Sequence, residues 1–131
     1  MQDIFCGRMF QFWEYTVSHG SLLIRSPATS ETDKTLDIVA YAVEYVSIPR
    51  HFGDISIARA TQSEVVDVAR LVDRTLHETC KVWTIESSGS RFLIAATFLQ
   101  FREYNGSIFD SPFRDLWDNY DANSRLILHF Q

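Results

Sequence analysis

Hydrophobic and polar positions alternate from the first well-patterned stretch, Met9 to Pro27. Phe10, Phe12, Trp13, Tyr15 and Val17 make its first run dense in aromatic and β-branched residues. Ser18-His19-Gly20-Ser21 then supplies a tight reversal, and Leu22-Leu23-Ile24-Arg25 returns as far as Pro27. This is a β-hairpin. A polar loop follows, and Leu36 to Ile48 reads as one long strand. Leu36, Ile38, Ala40 and Ala42 share a face that Val46 and Ile48 continue; Asp37, Val39, Tyr41, Val43 and Tyr45 share the other. With apolar residues on both faces, it belongs in the middle of a sheet or under cover on both sides. Pro49 stops it, and Ile55 to Ala58 forms a short strand with Ile55 and Ile57 inward.

The period then changes. Thr61-Gln62-Ser63-Glu64 matches a helix-capping box, and Val65, Val68/Ala69, Val72 and Leu76 follow at helical spacing. The spacing predicts a helix over 62–79. Its valines lower intrinsic helix propensity, so it needs a sheet to pack on. Val82 to Glu86, the turn Ser87-Ser88-Gly89-Ser90 and the long apolar arm Arg91 to Tyr104 form a second hairpin. In that arm Phe92, Ile94, Ala96 and Phe98 face one way, and Leu93, Ala95, Leu99 and Phe101 the other. Asn105-Gly106 marks a turn. Phe113, Leu116, Trp117 and Tyr120 are spaced for a short helix, and Leu126, Leu128 and Phe130 alternate as a last edge strand.

These elements define an α+β fold: a mostly antiparallel, twisted sheet of five to seven strands with one main helix on one face, with curling toward a barrel left open. The 131 residues fit one domain, 1–131, with residues 1–8 a loose arm and the translation start open between Met1 and Met9. Hydrophobic content of 46% supports an ordinary core without disulfides or a structural metal. Cys6 and Cys80 stand far apart and read as free thiols. The first ten residues lack the basic start and apolar run of a signal peptide, and the apolar run Phe92–Leu99 falls well short of the ~20 residues that span a bilayer. A cytoplasmic protein is the expectation. The net charge of −5 and the lack of any Lys/Arg run argue against nucleic acid and favour a basic protein partner.

No motif for catalysis stands out. His19 sits in a turn without an orienting partner in sequence. His77 and Cys80 could hold two corners of a metal site, but zinc requires two more ligands, and no metal or other cofactor is expected. The acidic cluster Asp110, Asp115, Asp118, Asp121 lacks EF-hand spacing. Combined with Trp117 and Tyr120, it reads instead as a recognition surface, which Trp13, His19 and Arg25 of the first hairpin could join. The alternative is a small-molecule pocket or minor enzyme site between helix and sheet, lined by Tyr41, Tyr45 and Phe98. A homodimer that pairs exposed strands is a further possibility.

The segments Phe12–Pro27 and Ile85–Ala96 resemble those of small uncharacterised bacterial single-domain proteins, and in style they are similar to the small acidic immunity proteins of bacterial toxin systems. The resemblance includes no catalytic motif and implies a bacterial cytoplasmic setting and a non-enzymatic, protein-binding role.

Overall fold

Ten antiparallel strands and two helices make up the computed structural model, which describes residues 7–30, 34–73, 75–114 and 117–131, with the backbone alone for 117 and 118. In chain order they are β1 (Met9–Thr16), β2 (Ser21–Ser26), β3 (Thr35–Tyr41), β4 (Tyr45–Ser47), β5 (His51–Gly53), β6 (Ile55–Arg59), α1 (Gln62–Val72), β7 (Lys81–Ser87), β8 (Ser90–Ala96), β9 (Phe98–Tyr104), α2 (Trp117–Ala122) and β10 (Ser124–Phe130). The fold is α+β, as the pattern predicts. The strands, however, form two sheets rather than one of five to seven strands. Six strands run in the order β10-β9-β3-β2-β1-β5 and four in the order β4-β8-β7-β6, with no closed barrel.

The two sheets face each other across the main core. Phe10, Leu22, Ile24, Leu36, Ile38, Ala40, Leu99 and Phe101 come from the six-stranded sheet; Ile55, Ile57, Trp83, Ile85, Ile94 and Ala96 come from the other. The alternate residues Val82, Leu93 and Ala95 point away from this core and receive α1 through Val65, Val68 and Val72. The helix therefore covers the outer face of the smaller sheet.

Two strands that the sequence pattern joins are broken at sheet-switching corners. The stretch 36–48 leaves the six-stranded sheet after Tyr41. Ala42 takes a left-handed φ of 54°, and the chain re-enters the smaller sheet as β4. The stretch 91–104 makes the reverse crossing at Thr97, between β8 and β9. The corners are tied together: Glu44 N–H donates to Ala95 O (2.8 Å) and Thr97 N–H donates to Tyr41 O (2.9 Å). The break also changes parity, so Leu99 and Phe101 join Ile94 and Ala96 in the core while Phe98 faces outward. The first hairpin turn is tied to the same end of the sandwich. Gly20, at a φ of 59°, accepts from Val43 N–H (2.7 Å), and a Cβ there would add to the left-handed strain.

Helix α1 starts as predicted. Thr61 Oγ1 accepts from Glu64 N–H (3.2 Å), and Glu64 Oε1 accepts from Thr61 N–H (2.9 Å). It ends at Val72 rather than at residue 79, because Asp73 adopts a left-handed φ of 59° and its N–H turns back to Arg70 O (3.1 Å). Hydrogen bonds from Arg91 first, and from the Thr61 backbone second, hold the Glu64 carboxyl at about 2, below its ordinary 4.5. A carboxyl depressed on folding stabilises the fold above its unfolded value and loses that contribution as pH falls through the folded one. The difference in urea midpoint between the unmodified protein and Glu64→Gln is therefore expected to be full at neutral pH and to close between about pH 4.5 and 2. A difference that does not vary with pH would contradict this account.

Candidate functional site

The outer face of the six-stranded sheet carries an unusual pair for a strand interior. Arg25 on β2 stands opposite Asp37 on β3, and both are fully buried. The pair is bidentate: Arg25 Nε donates to Asp37 Oδ1 (2.7 Å) and Nη2 to Oδ2 (2.8 Å). Arg25 Nη1 donates to the carbonyls of Ile108 and Asp110, each at 2.7 Å, and Tyr120 Oη donates to Asp37 Oδ2 (2.8 Å). Trp13 and Tyr104 lie against the guanidinium, each ring centroid 5.6 Å away, and Tyr104 stacks on Tyr120 at 4.7 Å. Burial pulls the Arg25 guanidinium down, but the hydrogen bond and charge of Asp37 outweigh it, so the net direction is up. Burial first, then the hydrogen bond to Asp110, raises Tyr104 to about 12; Tyr120 is raised as well, by burial and then by Asp37. Both phenols remain protonated donors at neutral pH.

This cluster is an anchor. It binds residues 105–114, which follow β9, across the sheet as a strap. Leu23 and Val39, which point away from the inter-sheet core, are fully buried on the same face. Asn105-Gly106 begins the strap, and a Cβ on Gly106 would meet the Tyr104 ring at 2.6 Å, so the turn also needs a residue without a side chain.

Where the strap stops covering the face, a cleft of about 510 Å3 opens, within the usual range of roughly 300–1,000 Å3 for small-ligand sites. Thr16 and Ser21, paired across β1 and β2, supply two hydroxyls, and Ser18 and His19 stand at the turn. Thr16 Oγ1 lies 3.2 Å from Ser18 Oγ, which lies 2.9 Å from His19 Nδ1. Tyr41 forms one wall. Its ring stacks on Phe98 (4.5 Å), which stacks in turn on His129 (5.0 Å). This row across β3, β9 and β10 backs one face of Tyr41. Burial first raises the Tyr41 phenol, partly offset by Arg102, so it too stays a neutral donor. The strap forms the opposite wall with Pro112, Phe113 and Arg114. A second cleft of about 380 Å3 lies beyond His19, lined by Glu44, His77, Thr79 and Thr97. Among the described residues no group of three His, Cys, Asp or Glu is arranged to hold a metal ion. No helix among them is long and apolar enough to cross a membrane.

The residues read from the sequence as a contact surface come partly together, but not on the surface. Trp13, Arg25 and Tyr120 meet in the anchor, where Arg25 and Tyr120 are fully buried and Trp13 is half-buried. Burial withdraws Arg25 and Tyr120 from direct contact with any partner. Asp121 is exposed but pairs with Arg102 (3.1 Å). His19 is exposed and lines the cleft. Asp115 and the side chains of Trp117 and Asp118 lie outside the described residues. Of the three residues assigned to a pocket, Tyr41 and Phe98 stack beside the cleft, whereas Tyr45 packs under α1. The helix–sheet interface is filled by Val68, Val82 and Ala95 with Tyr45 packed against them; the groove beside α1 is lined by Val65, Ala69, Leu76, His77 and Cys80, with no Phe, Tyr or Trp. The cleft thus lies on the outer face of the six-stranded sheet and not in the helix–sheet interface where a pocket was expected. His77 and Cys80 lie beyond the helix, in a turn where Cys80 N–H donates to His77 O (2.8 Å).

Sequence reasoning missed Asp37 as the partner of Arg25, and it missed Thr16, Ser21 and the 112–114 wall. One signal was available for the anchor: Arg25 and Asp37 are lone charges inside apolar strands, and such charges are buried only when paired. Nothing local marks the wall.

No family model matches the chain, and no curated protein or solved structure matches it either. The fold and cleft define it as an α+β protein with two facing antiparallel sheets and a strapped, aromatic-walled cleft.

Proposed function

We propose that the protein is a non-enzymatic recognition domain that holds a small ligand in the cleft between Tyr41 and the strap. One observation carries this reading: Tyr41, its ring stacked on Phe98 and through it on His129, lines the cleft together with the hydroxyl residues Thr16, Ser18 and Ser21. A rigid flat surface with a few convergent polar groups is the usual make-up of a small-ligand site. Catalysis is less well supported. The Thr16–Ser18–His19 series lies in an exposed turn, and among the described residues no carboxylate bonds to the His19 ring to orient it as a base. The net negative charge favours a basic protein partner less than it first suggests, because many acidic groups are matched internally. Asp121 meets Arg102, Glu103 meets Arg125, and Glu64 and Glu86 meet Arg91.

The test is a two-dimensional amide NMR screen of the 15N-labelled protein against a chemically diverse fragment set. Binding fragments are expected to shift the amides of Thr16, Ser21, Tyr41 and Phe113 together. Tyr41→Ala should abolish those shifts while leaving the spectrum dispersed. If no fragment perturbs these amides, or if the hits gather elsewhere, the reading fails.

A further inference from the structure

Resting on the reading of the cleft as a binding site, we infer that its ligand is a small aromatic anion: a planar ring bearing a carboxylate or a phosphate. The ring is specified by the walls. Tyr41, stacked on Phe98, lines the cleft, and Pro112 and Phe113 line it with the strap. A planar ring entering beside Tyr41 extends the existing row of stacked rings by one member, and offset stacking of this kind adds to simple burial.

The charge is specified by the polar groups. The chain as a whole carries a net −5, yet the side chains that line the cleft include a histidine and an arginine and no carboxylate. Arg114 is more than half exposed and is only lightly held. Its Nη1 donates to Phe109 O (3.1 Å), and its Nε lies 3.6 Å from Glu14 Oε2, too long for a hydrogen bond. Nη2 has no hydrogen-bond partner among the described residues. Glu14 does not line the cleft but ion-pairs with Arg114, so an incoming anion would share that guanidinium with it; the Glu14 Oε1 is enclosed without a hydrogen-bond partner among the described residues. The Nη2 of a guanidinium at a cleft wall is suited to one carboxylate or phosphate oxygen, in competition with the Glu14 ion pair. The Ser21 hydroxyl and, when His19 Nδ1 donates to Ser18, one of the Thr16 and Ser18 hydroxyls can donate to the same oxygens, and an anion needs donors around it.

Titration of the protein with benzoate, phenyl phosphate and neutral benzamide, followed by amide NMR, tests the inference. Benzoate or phenyl phosphate is expected to shift the Thr16, Ser21, Tyr41 and Arg114 amides, and the stronger of the two identifies the anion. Benzamide, of nearly the same shape, should bind at least about tenfold more weakly, as should the anion to Arg114→Gln, the change expected on losing one charge-assisted hydrogen bond. Equal binding of benzamide and benzoate at these amides overturns the anion while leaving the cleft a binding site. Failure of both anions to perturb the cleft overturns the inference, and the unbiased fragment screen then decides separately whether the cleft binds anything. The comparison of benzoate with benzamide needs no variant, so it stands even if Arg114→Gln alters the strap.

Discussion

Asp37→Ala is expected to destabilise the protein by about 3–5 kcal/mol, the usual effect of stranding one charge of a buried pair. The size follows from what remains. Arg25 keeps its charge, is fully buried, and loses both of its bonds to the carboxylate. Tyr120 loses its acceptor in the same step. Chemical denaturation should show a lower midpoint with an unchanged slope, since the surface exposed on unfolding is the same. The double replacement Arg25→Met with Asp37→Leu should recover much of the loss, because an apolar pair of similar volume avoids the stranded charge. Recovery should stay incomplete: the carbonyls of Ile108 and Asp110 lose their shared donor, and with it the strap loses its tie to the sheet. A loss below about 1 kcal/mol for Asp37→Ala, the range of exposed ion pairs, would show that the pair is not buried as described. Because the strap supplies Pro112, Phe113 and Arg114, the double variant, which removes the Arg25 tie, should also weaken the proposed ligand binding in the cleft.

Trp83→Ala should lower stability by a similar amount, about 3–5 kcal/mol, for a different reason. Trp83 is 1% exposed and sits on the inner face of β7 among Ile57, Ile85 and Ile94, where the two sheets meet. Its removal leaves a cavity that two hydrogen-bonded sheets cannot easily close around. Arg59, whose guanidinium lies 5.4 Å from the ring centroid, loses its aromatic surface as well. Trp83→Phe should lose less, since more of the volume is kept. Either alanine variant removes a large share of the roughly 5–15 kcal/mol that typically separates folded from unfolded states. Thermal and denaturant melts of the two should agree in rank. For Trp83→Ala the cleft amides should stay unshifted, because the tryptophan lies on the far side of the sheet from the cleft. This separates a core defect from a site defect.

What was legible in the sequence was local. The hairpin β1–β2 showed in its aromatic alternation and its Ser-His-Gly-Ser turn, and β7–β8 in Ser87 to Ser90 between two apolar arms. The capping box placed the start of α1 because its two hydrogen bonds lie within four residues. Ile55 and Ile57 faced inward as their alternation required, and β10 took its place as an edge strand. In each case the determinant was a turn chemistry, a side chain–backbone bond or a two-residue period, all of which act between near neighbours.

The end of α1 was a different matter. Leu76 continues the helical spacing, but Asp73 turns the backbone left-handed, and a periodic pattern does not reveal that a polar residue will cap rather than continue. His19 and Tyr41 were each visible as aromatic or titratable residues in strands and turns, but their shared cleft was not. Its other wall is set by the strap, whose position depends on Arg25 reaching the carbonyls of Ile108 and Asp110 far along the chain.

By itself, then, the sequence determined the class of the protein: antiparallel strands, their turns, one amphipathic helix and its start. Tertiary structure alone decided that there are two sheets. A strand buried on both faces and a strand that crosses from one sheet to another at Ala42 or Thr97 carry the same continuous apolar pattern, so periodicity cannot tell them apart. It also decided the cleft, because a site built from the first hairpin, β3 and the strap exists only once long-range pairing and a buried ion pair have brought these segments to one face.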